Sequence, residues 1–128
     1  MRRLLLLIAA LLVVPLAGCG LFGSHPQDAA AAFLAAVARG DAAGAGRLTD
    51  DPAAATNLIQ QVRDELKPQR VTLTLGDIRS GDNTASASFS AVWDLGMGRE
   101  WRYPGAFDLV PAHTDEGWSV RWSPAVLH

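Results

Sequence analysis

Apolar residues fall into three successive patterns along the chain. Leu4 to Val14 is an unbroken apolar run behind Arg2 and Arg3, closed by Pro15. Ala29, Ala30, Phe33, Leu34 and Val37 then recur at helical spacing, and Ala55, Leu58, Ile59, Val62 and Leu66 do so again. From Val71 onward the period drops to two. Val71, Leu73 and Leu75 alternate with Thr72 and Thr74. Ala85, Ala87, Phe89, Ala91, Trp93 and Leu95 alternate with Thr84, Ser86, Ser88 and Ser90.

Local punctuation sets the boundaries of these segments. Ser24 and Gln27 have capping-box spacing, Pro26 suits an early helical position, and Gly40 is a C-terminal stop. Asp41 is placed to cap a short helix through Ala42 to Leu48, weakened by its two glycines. Asp51-Pro52 reads as an N-cap followed by a first-turn proline, and that third helix runs to about Lys67, where Pro68 ends it. Gly81-Asp82-Asn83 and Gly96-Met97-Gly98 are turns. A third strand starts at Trp101 and Tyr103, and Pro104-Gly105 suggests a bulge or an edge before Ala106 to Val110 continues it. After a loop from His113 to Gly117, Trp118, Val120 and Trp122 face one way, with Ser119 and Arg121 opposite. Helices followed by a meander of strands predict an α+β domain. Three N-terminal helices packed on one face of a curved four-stranded antiparallel sheet would use every apolar stripe.

The first segment reads differently. Two arginines, an apolar run and small residues before Cys19 make an export signal, and the run is too short for a spanning helix of about 20 residues. The residues beyond it carry 9 basic and 13 acidic side chains, a formal charge of −4, with Lys67 the sole lysine. Nothing there forms a basic stripe suited to nucleic acid. A single cysteine excludes an internal disulfide.

Chemistry-bearing clusters are sparse. His25, His113 and His128 are far apart in sequence, with no helical His pair for zinc, and no Gly-rich phosphate loop follows a strand. No metal or cofactor site is expected. No serine has a lysine three residues later, and Gly-x-Ser-x-Gly and Lys-Thr-Gly are absent. Asp50-Asp51 reads as a helix start and Asp115-Glu116 as a solvated loop. Trp93, Trp101, Tyr103 and Trp118 are candidates to line a pocket, although tryptophans at period-two spacing serve equally to build a core. Asp94 or Asp108 with Tyr103 would be an acid–base pair if a buried carboxylate approached the phenol. The alternation instead puts Asp94 on the solvent side.

Leu16-Ala17-Gly18-Cys19 resembles the lipobox read by lipoprotein signal peptidase. That resemblance implies cleavage after residue 18, a lipid on Cys19, a tether over residues 19–25, and a place on the extracytoplasmic face of the cell membrane. The ending Trp118-Ser119-Val120-Arg121-Trp122-Ser123-Pro124, running to Leu127-His128, resembles the close of the nuclear-transport-factor-2-like N-terminal domain of class B penicillin-binding proteins. Residues 30 to 41, Ala-Ala-Ala-Phe-Leu-Ala-Ala-Val-Ala-Arg-Gly-Asp, are similar to that domain's helix, Gly-Asp, helix opening. Leu48-Thr49-Asp50-Asp51-Pro52 is similar to its next boundary. The likeness is closest to actinobacterial penicillin-binding lipoproteins and implies a cystatin-like cone over residues 26–128. It also implies a non-catalytic role, positioning or docking in peptidoglycan synthesis and antibiotic response. The implied partners are the membrane, cell-wall synthesis proteins or a transpeptidase domain. Two other expectations stand beside it: a stand-alone lipoprotein holding a small ligand in the cone, and an isomerase-like enzyme.

Overall fold

The computed structural model describes residues 25–112 and 117–127. Helix α1 spans Pro26–Ala38, α2 Ala42–Arg47 and α3 Pro52–Leu66. Strands β1 (Arg70–Ser80), β2 (Ala85–Gly96), β3 (Arg99–Pro111) and β4 (Trp118–Val120) form one antiparallel sheet in sequential order, and a 3₁₀ turn covers Pro124–Leu127.

The helix boundaries follow from local hydrogen bonding, with one correction. The α1 N-cap is His25, without a side-chain cap, and Ser24 lies outside the described residues. At the other end Gly40 adopts φ 81°. Its N–H bonds the Val37 carbonyl (3.1 Å), and the Asp41 N–H bonds that of Ala36 (2.9 Å), a Schellman closure that only a left-handed residue completes at low strain. Asp41 Oδ1 then accepts from the Gly44 N–H at 2.9 Å and starts α2. Asp51 caps α3 through the Ala54 N–H at 3.4 Å. The glycines of α2 are packing requirements. A Cβ on Gly46 would strike the Thr56 hydroxyl and come within 2.8 Å of the Pro52 carbonyl, so α2 and α3 touch at backbone distance.

In the sheet, β2 alternates as its sequence predicts. Ala85, Ala87, Phe89, Ala91 and Trp93 are buried, while Ser88 and Ser90 are exposed. β1 contains a bulge between Leu75 and Ile78, where the Asp77 N–H bonds Ser88 Oγ at 2.9 Å. The extra residue shifts the inward set from odd to even positions, so Ile78 joins the core edge. No bulge interrupts β3 at Pro104-Gly105. Ser90 faces Pro104 and Phe89 faces Gly105 in unbroken register. The expected edge is nevertheless present, because β4 pairs only with Leu109 to Pro111 and leaves β3 open on that side at Pro104. A proline there forfeits no ladder bond. β4 is also shorter than its alternation suggested. Trp122 lies beyond the strand, and the Trp122 N–H donates to Asp50 Oδ1 at 2.7 Å.

The core lies between helices and sheet. α1 crosses the inner sides of β1, β2 and β4, while α3 packs on α2 and on the 3₁₀ turn. Thr49 and Val120 form a parallel bridge, flanked by bonds from the Asp50 N–H to the Val120 carbonyl (2.9 Å) and from the Val120 N–H to the Leu48 carbonyl (2.8 Å). The loop between α2 and α3 thus extends the sheet past β4.

Candidate functional site

The inner face of β2 and β3 sets aromatic rings in contact along the cone. Phe33 of α1 meets Phe107 at 5.4 Å, and Phe107 meets Phe89 at 5.8 Å. Phe89 then meets Tyr103 at 6.2 Å, Tyr103 meets Trp101 at 4.7 Å, and Trp101 meets Trp93 at 5.6 Å. The register generates this chain, because Trp93 faces Trp101, Ala91 faces Tyr103 and Phe89 faces Gly105 across one strand pair. Gly105 is needed where Phe89 lies over the backbone. A Cβ there would sit 2.9 Å from ring carbon Cε2 and nearer to Cε1 and Cζ.

The 3₁₀ turn closes this interior. Val126 and Leu127 are each only 2% exposed, and the Tyr103 hydroxyl donates to the Val126 carbonyl at 2.9 Å. Burial raises the Tyr103 pKa above its ordinary 10.0, and the nearby Trp93 indole partly opposes that rise. The indole N–H is fully buried and has no hydrogen-bond partner among the described residues. Outside the closure remains a shallow groove of about 270 Å³ lined by Val62, Glu65, Leu66, Trp101 and Leu127.

Of the four residues expected to line a pocket, the structure brings Trp93, Trp101 and Tyr103 together. Trp118 pairs opposite Pro111 at the far end of β3. Trp93 is a core residue, whereas Trp101, Trp118 and Trp122 are half-buried against that core. Neither aspartate joins Tyr103. Asp94 Oδ1 accepts from the Gly96 N–H at 2.9 Å, and exposed Asp108 is on the opposite sheet face from Tyr103. Asp51 is the helix cap it was expected to be; Asp50 instead holds the Trp122 backbone. Among the described residues no group of acidic, His or Cys side chains could hold a metal, and no helix is long and apolar enough to cross a membrane. Cys19, the lipobox residues Leu16, Ala17 and Gly18, and His113, Asp115, Glu116 and His128 lie outside the described residues.

The closing turn was the part of the interior that residue patterning missed. Its signal was short: Pro124 followed by Ala125, Val126 and Leu127, three apolar residues after the last strand with no period to read.

Helices cupped by a bent antiparallel sheet, with an aromatic interior, define an NTF2-like, cystatin-like cone. Solved structures of that shape resemble this one. A SEC-C motif containing protein from Rhodopseudomonas palustris aligns with a TM-score of 0.60 at 18% identity, covering 80% of each chain. An NTF2-like protein with a cystatin-like fold from Novosphingobium aromaticivorans gives 0.55 at 17% identity, covering 88% of this chain and 82% of that one. A protein of unknown function from Mycobacterium tuberculosis gives 0.55 at 12% identity, covering 73% of this chain and 64% of that one. At such identities the likeness concerns fold alone. No curated protein matches the chain significantly. Residues 25–128 match the family described as the NTF2-like N-terminal transpeptidase domain, and the chain belongs to that family.

Proposed function

We propose that this protein is a non-catalytic, lipid-tethered extracytoplasmic module that positions or docks components of peptidoglycan synthesis, and that its part in antibiotic response is indirect. The observation that carries the non-catalytic half is the filled cone. Trp93, Phe33 and Phe107 occupy the interior, Val126 and Leu127 close it, and the one phenol inside is committed to a backbone carbonyl. Acid–base chemistry needs a carboxylate at hydrogen-bond reach of its partner, and Asp94 and Asp108 point away from Tyr103. Penicillin acylation needs an activated nucleophile, and no serine in the chain has the Ser-x-x-Lys spacing. The tethered half rests on the Leu-Ala-Gly-Cys sequence behind an apolar run.

Two measurements test the reading together. The full chain, produced in a lipoprotein-processing bacterium, should incorporate labelled palmitate, and Cys19→Ser should abolish incorporation. The same protein should show no covalent band with a fluorescent penicillin. No palmitate on the wild-type chain would overturn the tether, palmitate retained in Cys19→Ser would overturn its place on Cys19, and a penicillin band on this chain would overturn its non-catalytic assignment.

A further inference from the structure

The β2–β3 hairpin ends in a two-residue loop. Gly96 pairs with Arg99, leaving Met97 and Gly98 at the tip with φ 56° and 77°. Both values are positive, as in a type I′ turn, whose low-strain sequence is Asn-Gly. Methionine there accepts left-handed backbone strain, and its side chain is 97% exposed. It is the one large hydrophobic residue left so open among the described residues. Beside it, a Cβ built on Gly98 would meet nothing within 4 Å, so the tip projects into open space.

Cations surround this tip. Lys67, Arg70, Arg99 and Arg102 are exposed at the same end of the sheet, against the carboxylates Asp94 and Glu100 on the strands and Glu65 in the groove beside Trp101, four basic residues to three acidic ones in a chain that is otherwise acidic. Glu100 is paired with Arg102 at 2.7 Å, and Asp94 accepts from the Gly96 N–H. Glu65, and Asp64 before it, lie on the α3 surface, each bonded by a glutamine one turn earlier.

We infer that the Met97 hairpin is a contact point for an anionic lipid surface. A protruding apolar tip with basic flanks offers no groove to a folded partner or a peptide, yet it enters a deformable headgroup layer readily. Methionine supplies apolar area, and the arginines and lysine supply attraction to acidic headgroups. This extends the reading of a membrane-tethered module by setting the orientation of the cone on its membrane. It makes no use of Cys19.

The test uses full-length Cys19→Ser protein, which is cysteine-free, so its outcome is independent of lipidation. A single cysteine is introduced by Met97→Cys or, at the opposite hairpin, by Asp82→Cys. Each protein carries the same environment-sensitive fluorophore and is mixed with vesicles of phosphatidylglycerol and phosphatidylcholine in equal parts. The label at 97 should blue-shift and be quenched by doxyl-labelled lipid, whereas the label at 82 should report water. Arg70→Glu with Arg99→Glu should abolish the shift at 97, and added salt should weaken it. Equal responses at both positions would mean that the apolar leader alone tethers the protein, and the inference would fall. It would equally fall if position 97 ignored vesicles but responded to a soluble polyglutamate, which would indicate an acidic protein partner.

Discussion

Gly105→Ala is the sharpest probe of the aromatic interior. In a strand this change ordinarily stabilises by about 0.4–1 kcal/mol, because alanine restricts the unfolded chain. Here the added methyl would lie 2.9 Å from Phe89 Cε2 and closer to Cε1 and Cζ. Optimal carbon contacts are about 3.5–4.0 Å. Phe89 cannot swing away freely, since Tyr103 and Phe107 pack against it with centroids 6.2 and 5.8 Å distant. Overpacking of this kind costs about 1–3 kcal/mol, and subtracting the unfolded-state gain leaves a net loss of about 1–2 kcal/mol. For a domain of this size that is a fall in Tm of roughly 5–10 °C. Thermal melts followed by far-UV circular dichroism would measure it. Phe89→Leu frees the space, so the double variant should be more stable than the summed single effects by about 1 kcal/mol. A Gly105→Ala protein as stable as the wild type, or strict additivity in the double variant, would refute the packing argument.

Three further outcomes follow from the same geometry. Tyr103 is the only tyrosine, so absorbance at alkaline pH reports it alone, and its midpoint should lie above 10.0. Because the folded state holds the phenolic proton more tightly, this stabilisation is complete below about pH 10 and is lost as pH rises through the raised value. Tyr103→Phe should remove that alkaline sensitivity and cost about 1 kcal/mol at neutral pH through the lost bond to Val126, with faster amide exchange across Pro124–Leu127. The Asp41 carboxyl titrates below 3.8, chiefly because the Gly44 N–H bonds it; desolvation opposes that bond, and Arg39 and Arg47 add further lowering. The stability gap between wild type and Asp41→Ala should therefore be constant above about pH 5 and shrink as pH falls through the lowered value, as denaturation midpoints would show. Met97→Asn should relieve the left-handed strain and raise stability by about 0.5–1 kcal/mol in urea titrations, while the hairpin loses its apolar tip.

Much of the architecture was legible because its signals are local. Asp41 and Asp51 cap helices through bonds to residues three positions on, and Gly40 closes α1 within five residues. The alternation along β2 names its buried face outright, since neighbouring side chains in a strand must point to opposite sides. The resemblance at Trp118 to Leu127 identified the family, and the match over residues 25–128 agrees with it. Local signals also misled where a partner strand mattered. Pro104-Gly105 suggested a bulge or an edge; there is no bulge, and the pair lies in a regular ladder whose open side excuses the proline and whose glycine makes room for the Phe89 ring.

The candidate site was less legible. The sequence alone determined the helices, the Asp41 and Asp51 caps, the period-two strands and the inward set Phe89, Ala91, Trp93, because each depends on residues within a turn or a pleat of one another. Only the tertiary structure decided that Trp118 lies at the opposite end of β3 from Trp101, that Asp50 holds Trp122, and that Val126 and Leu127 fill the cone against Tyr103. The bond from Tyr103 to Val126 and that from Trp122 to Asp50 join residues 23 and 72 positions apart, beyond the reach of any local pattern. Hydrophobic periodicity specifies which face is buried. It carries no information about which distant segment will arrive to cover that face, and here the covering segment is a four-residue turn too short to have a period of its own.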